Sequence, residues 1–238
     1  MPRFVLVHGA FHGAWCWELV VPRLEALGHS VQAIDLPGCG ADETPPGDVT
    51  LEGCAQRVAD TLRAGEPAVL VGHSMGGVVV TQAAAMARDH IDRLVYVCAF
   101  LPRDGESLQA LTSTPEGAGD LIQANMVVEP PVAILPPEGA RAACYGTCSP
   151  ERAAWAIERI GPQPLAPFVT PVSLGDGVDS LDRHYILTTQ DRAVPPALQR
   201  KMAHDSPCRE IAELGCDHSP FLSATDELVA LLHRFARD

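Results

Sequence analysis

At 238 residues the chain is long enough for one sizeable core with an insertion and short for two full domains. Hydrophobic residues at 47% against charged residues at 20% exclude a disordered or collagen-like chain. A formal net charge of −13 argues against a phosphate-backbone partner, so no nucleic-acid binding is expected.

The chain opens Met1-Pro2-Arg3 and runs straight into Phe4-Val5-Leu6-Val7. That order lacks a small-residue cleavage site and predicts a buried strand over residues 4–8. An amphipathic stretch over 16–27 predicts a helix, and Gly28 stands where a left-handed cap wants glycine. A strand over 30–35 comes next. Thr50 suits the N-cap of a helix over 51–64, with Gly65 just past its end. Further short apolar runs at 68–72, 94–99, 184–189 and 208–212 alternate with helical stretches at 75–90, 197–204 and 220–237. This rhythm predicts an α/β fold, a mostly parallel sheet of about six strands flanked by helices.

The rhythm breaks between residues 101 and 170, where Pro115, Pro130, Pro131, Pro136, Pro137, Pro150, Pro162, Pro164 and Pro167 accumulate. A structureless loop of that length inside one domain is unusual. The stretch is expected to be an inserted cap with a helix near 150–160, leaving 1–100 and 171–238 as the core. No apolar run approaches the ~18 residues of a membrane span, so no membrane partner is expected. The eight cysteines read as reduced thiols of a cytoplasmic protein. Cys144 and Cys148 have no second pair or histidine at zinc spacing, so no metal is expected.

The densest motif is Gly72-His73-Ser74-Met75-Gly76, set between an apolar run and a helical one. Gly-x-Ser-x-Gly in that context is a nucleophile elbow, a turn sharp enough to lift the serine hydroxyl clear of the sheet. A serine needs a base to take its proton, and the base needs a carboxylate to orient it. His218 lies between the last strand and the last helix, and Asp191 ends the strand before it. Both follow carboxyl ends of strands, where open parallel sheets place their sites. Asp104 is a second position for the acid. His184, His204 and His233 follow no strand end, and Asp217 reads as a turn residue. After the first strand, His8-Gly9-Ala10-Phe11-His12-Gly13 offers the Ala10 amide, with that of Met75, as an oxyanion hole. His8 and His12 lack a third ligand, and His8 reads as a structural hydrogen-bonding residue.

Together with Ala14-Trp15, Leu24 to His29 and Thr189 to Pro195, these residues resemble the α/β-hydrolase superfamily. Within it they are similar to the plant methylesterase and hydroxynitrile lyase group and its bacterial carboxylesterase relatives. The resemblance covers most of the chain and is weak in the cap. It implies the triad Ser74, Asp191 and His218, an oxyanion hole from Ala10 and Met75, no cofactor or metal, and a monomer or homodimer. The expected activity is hydrolysis of a small-molecule ester through an acyl-enzyme. Phe11, Phe100, Leu101, Trp155, Phe168 and Phe221 are candidates for an apolar pocket, which favours aromatic or alkyl esters. Two rivals stand beside it: a cofactor-free hydroxynitrile lyase on the same triad, and a non-catalytic binding protein of the same fold. The lyases of the group resemble this chain but carry a threonine where Gly9 stands, an acid in place of His73 and a lysine in place of Ser219.

Overall fold

The computed structural model describes residues 2–175 and 177–237; Met1, Asp176 and Asp238, which fall in the expected core spans, lie outside the described residues. Strands β1 (Arg3–Val7), β2 (Ser30–Ile34), β3 (Ala68–His73) and β4 (Ile91–Val97) are followed by a long excursion. The excursion carries three short strands, β5 (Val127–Glu129), β6 (Val132–Ile134) and β7 (Gln163–Pro164), which form a small antiparallel sheet. The chain then returns to β8 (Arg183–Thr188) and β9 (Glu210–Leu214). The main sheet has the order β2-β1-β3-β4-β8-β9 and is parallel throughout.

Residue type explains which strands are central. β3 and β8 bury every residue, and β1 and β4 nearly every one, as strands covered on both faces must. At the edges, β2 and β9 alternate between more and less exposed positions. The helix Leu51–Arg63 buries Leu51, Cys54, Ala55, Val58, Ala59 and Leu62, the one-sided stripe of a helix lying on a sheet. Thr50 Oγ accepts from Gly53 N at 2.9 Å and caps it. By contrast, the helix Gly76–Ala87 is buried on most sides, which anchors the turn before it.

Several elements depart from expectation for local reasons. The stretch 16–27 splits into a short turn, Ala14–Trp17, and a helix, Val21–Ala26, because Pro22 can sit only in a first helical turn. The last helical stretch divides into Pro220–Ser223 and Thr225–Phe235, broken where Ala224 leaves helical angles at φ −142°. The helix expected over 75–90 ends at Ala87, followed by a separate 3-10 turn at Arg88–His90. β4 starts earlier than expected because Ile91 pairs with Ala68, and it ends where Cys98 turns to φ +37°. Gly28 takes the left-handed cap at φ +88°. Gly65 does not, since the Arg3 guanidinium takes the last carbonyls of that helix, Thr61 O at 2.6 Å and Leu62 O at 3.1 Å. A Cβ on Gly65 would lie 2.9 Å from Arg3 Nη1, so close approach is its constraint.

Candidate active site

In the order β2-β1-β3 the chain steps outward from β1 to β2 and then crosses to β3 on the other side of β1. This switch in strand order opens a crevice at the carboxyl ends of β1 and β3. Ser74 sits there, directly after β3, at φ +53°. Its carbonyl accepts from Gly77 N and Phe100 N, both at 3.0 Å, which pins the turn from two sides. Glycine is required at Gly76, where a Cβ would lie 2.6 Å from the His8 carbonyl oxygen. Among the described residues, the non-glycine positions in left-handed backbone are Phe11, Ser74 and Cys98, all at this end of the sheet. Backbone strain of this kind persists only where the surroundings over-determine it.

His218 follows β9, and its Nδ1–H donates to Asp191 Oδ2 at 2.8 Å, with both side chains almost wholly buried. Asp191 is held from other directions as well. Ala193 N and Val194 N donate to Oδ1 at 2.8 Å each, and Thr188 Oγ donates to Oδ2 at 2.8 Å. Gln199 Nε2 adds a contact to Oδ2 at 3.1 Å. Burial alone disfavours the charged imidazole of His218, but the Asp191 charge and hydrogen bond outweigh it and raise its pKa above 6.5. Asp104 is elsewhere. It accepts from Leu174 N at 2.8 Å and faces a separate surface pocket beside Arg103 and Asp205. Asp217 does more than turn the chain: it accepts from Thr147 N at 2.7 Å and from Ser223 Oγ, tying the His218 loop to the insertion.

The loop after β1 is fixed peptide by peptide. His8 accepts from Leu36 N through Nε2 at 3.1 Å, so its Nδ1–H donates to the Gly9 carbonyl at 2.8 Å. That carbonyl belongs to the peptide whose N–H is Ala10, and in a trans peptide the two point opposite ways. Holding the oxygen therefore aims the Ala10 amide away from His8. His12 repeats the device one residue on: Nδ1–H donates to Ala10 O at 2.7 Å, and Nε2 accepts from Tyr145 Oη at 2.8 Å. Phe11 N donates to Gln163 Oε1 at 3.1 Å. Burial lowers the pKa of both histidines, His12 to about 3, so each keeps the neutral form these bonds need. Neither Ala10 N nor Met75 N donates to another backbone or side-chain group among the described residues, and both residues line the cavity described next.

One cavity is lined by Ala10, Met75, Ser74 and His218 together, with Phe11, Phe100 and Phe168 forming apolar wall. It holds about 420 Å³ of empty space, its open mouth included, within the range of small-molecule pockets. No hydrogen bond joins Ser74 Oγ to His218 among the described residues, a contact that commonly tightens only with substrate bound. The other expected pocket residues stand elsewhere. Leu101 is buried in the core with its N–H on Met202 Sδ at 3.4 Å. Phe221 is fully buried behind the site, packed edge-on against His73 at 5.0 Å. Trp155 lies in a surface groove with Leu19 and Leu222, under the Arg159 guanidinium. Sequence reasoning missed Leu108, Asp120, Ile122, Gln123, Cys144 and Val194 as lining residues. Of these, only Asp120 left a readable signal, an aspartate placed to cap a helix.

His73, Cys98 and His218 bring potential metal-ligand atoms within 4.8 Å of one another. Their hydrogens are already committed, however. His73 Nε2–H at 2.8 Å and the Cys98 thiol at 3.4 Å both donate to the His218 carbonyl. Burial pushes the Cys98 thiol pKa well up, which opposes a thiolate ligand. His73 and Cys98 together clamp the His218 backbone.

Comparison with known proteins follows the same lines. The chain is 33% identical to putative methylesterase 11, chloroplastic, of Arabidopsis thaliana over 99% of its own length, and spans 64% of that relative's length. Methylesterase 7 of the same plant is 31% identical, with 98% of this chain and 96% of the relative covered. Among solved structures, a pyrethroid hydrolase from Sphingobium faniae superposes with a TM-score of 0.90 at 28% identity, covering 99% of this chain and 97% of that one. With a profile of the alpha/beta hydrolase family matching residues 4–231, from the first strand into the last helix, the chain belongs to that family.

Proposed function

We propose that this protein hydrolyses carboxylic esters through an acyl-enzyme, with Ser74 as nucleophile, His218 as base and Asp191 as its orienting acid. The observation that carries the reading is a single cavity lined by Ser74, on its strained turn, and by His218, bonded to a buried carboxylate. Ser74 attacks the ester carbonyl while His218 takes its proton. The amides of Ala10 and Met75 stabilise the oxyanion, and His218 hands the proton to the departing alkoxide. Water then resolves the acyl-enzyme by the same route. The largely apolar wall supports small apolar or aromatic esters, and the names of the methylesterase relatives support the ester class. Eight free cysteines support a reducing compartment, and we read the protein as cytoplasmic.

Cyanohydrin cleavage is the weaker reading. A threonine in place of Gly9 does not fit, because even its Cβ would lie 2.7 Å from Ser74 Cβ and 2.8 Å from His73 Nδ1. His73 is kept neutral by burial, and Ser219, fully buried, offers no charge to a departing cyanide. A pure binding role gives no reason for a strained serine beside a base. Ser74→Ala should lower ester turnover by roughly 10⁴-fold or more. An organophosphate should add to the wild-type protein at Ser74, read by intact mass and peptide mapping. An adduct on another serine overturns the assignment.

A further inference from the structure

The cavity wall contains one carboxylate that the proposed chemistry does not use. Asp120, from the insertion, lines the same cavity as Ser74 and His218 and is only 8% exposed. Its Oδ1 accepts from Ile122 N at 2.7 Å and Gln123 N at 3.1 Å, capping the short helix Leu121–Asn125. Both of its hydrogen bonds among the described residues fall on that oxygen, which leaves Oδ2 free to accept. The helix is docked on the acid's own loop, with Leu121 N donating to Arg192 O at 2.8 Å. Among the described residues no arginine or lysine lines this cavity; its other ionisable nitrogens belong to His12, held neutral, and His218. A carboxylate in an apolar wall is costly unless a cation or donor meets it.

Resting on the esterase reading, we propose that Asp120 is a substrate-recognition residue that selects esters carrying a cationic nitrogen, whose ammonium pairs with the free Oδ2 while the ester carbonyl lies at Ser74. Phe11, Phe100 and Phe168, with Leu108, Ile122 and Val194, give the pocket an apolar wall suited to the body of such a molecule. Burial pushes the Asp120 carboxyl up to about 6, against the pull of its two amide bonds, so it is ionised in mildly alkaline buffer.

The test uses isosteric ester pairs at pH ~7.5, one placing the charge on each side of the ester bond. Methyl 4-(aminomethyl)benzoate is set against methyl 4-ethylbenzoate, and benzoylcholine against 3,3-dimethylbutyl benzoate. In at least one pair the wild-type kcat/KM should favour the cation by roughly tenfold or more. Asp120→Asn keeps an oxygen for the helix cap and turns an amide NH₂ toward the cavity, so the ratio should fall to about one or below. Equal loss on both members of each pair means that Asp120 acts through His218 and not on substrate, and overturns the proposal, as does a wild-type enzyme without cation preference. Neutral esters hydrolysed by the wild type and not by Ser74→Ala keep the esterase reading standing whatever the ratios show. If the wild type hydrolyses none of the esters, that reading and this proposal fall together.

Discussion

At the carboxyl end of the parallel sheet, polar side chains are tied down by hydrogen bonds to backbone groups one to three residues away. His8 and His12 hold successive carbonyls of one loop, and two amides hold Asp191. The insertion is built differently, from helices of four to eight residues and a small sheet that leaves Val127 and Val128 about half exposed. It contributes part of the wall of the cavity, including Leu108, Asp120 and Cys144, and it is tied to the core at Tyr145 on His12, Gln163 on Phe11, Thr147 on Asp217 and Leu121 on Arg192. On the proposed mechanism, rate and selectivity should therefore be separable in this molecule. Substitutions at the sheet end should change how fast the ester breaks, and substitutions in the insertion should change which ester enters.

The separation is most exposed at Asp191. Replacing it with asparagine should lower kcat by roughly 10³–10⁴-fold with the fold intact, while Asp104→Asn leaves turnover near wild type. Loss of activity in the Asp104 variant instead would move the acid to the far pocket. Acidification is the next test. His218 must be neutral to accept the Ser74 proton, and its pKa is raised above 6.5 by Asp191, Asp217 and Asp120 acting against burial. Activity should therefore fall as pH drops through a value above 6.5, about tenfold per pH unit on the acid side, seen in kcat/KM profiles. A limb centred well below 6.5 would show that the His218–Asp191 pair is not the base.

Tyr145→Phe probes one of the bonds by which the insertion reaches the loop after β1, where Gln163 and Gly161 also bond to Phe11. Removing the hydroxyl leaves His12 Nε2 buried without its donor, a cost of about 1–3 kcal/mol. We expect roughly a tenfold loss in kcat with KM little changed; a change in KM alone would make Tyr145 part of the selectivity wall. The smallest effect is expected at Trp155, which packs edge-on to Trp15 at 5.4 Å outside the cavity. Trp155→Ala should alter turnover of small esters by less than about twofold. A large loss would extend the substrate path to the surface groove.

What the sequence discloses follows the same division. The Gly72–Gly76 turn, the strand-ending Asp191 and the His218 loop were legible because each demands particular residue types beside a strand end. The parallel sheet was legible because strands buried on both faces read as continuous apolar runs. The wall of the cavity was not. Trp155 and Phe221 are as apolar as Phe11 and Phe168, and only tertiary packing decides which of them faces the void. The small sheet of the insertion was missed because its strands are two or three residues long and one includes Pro164. The helix break at Ala224 carried no glycine or proline signal at all.

The pairing of β4 with β8 has a consequence for how the site comes into being. Tyr96 meets Tyr185 across that ladder, so the chain must close a loop spanning the whole insertion before β8 and β9 join β4 in the sheet. Asp191 and His218 lie beyond that closure, and Ser74 and the loop after β1 lie before it. A nascent chain that ends short of Arg183 thus displays Ser74 without His218, its proposed base. Regained ester turnover after denaturation reports the completed topology, because no fragment on either side of the closure holds both halves of the machinery.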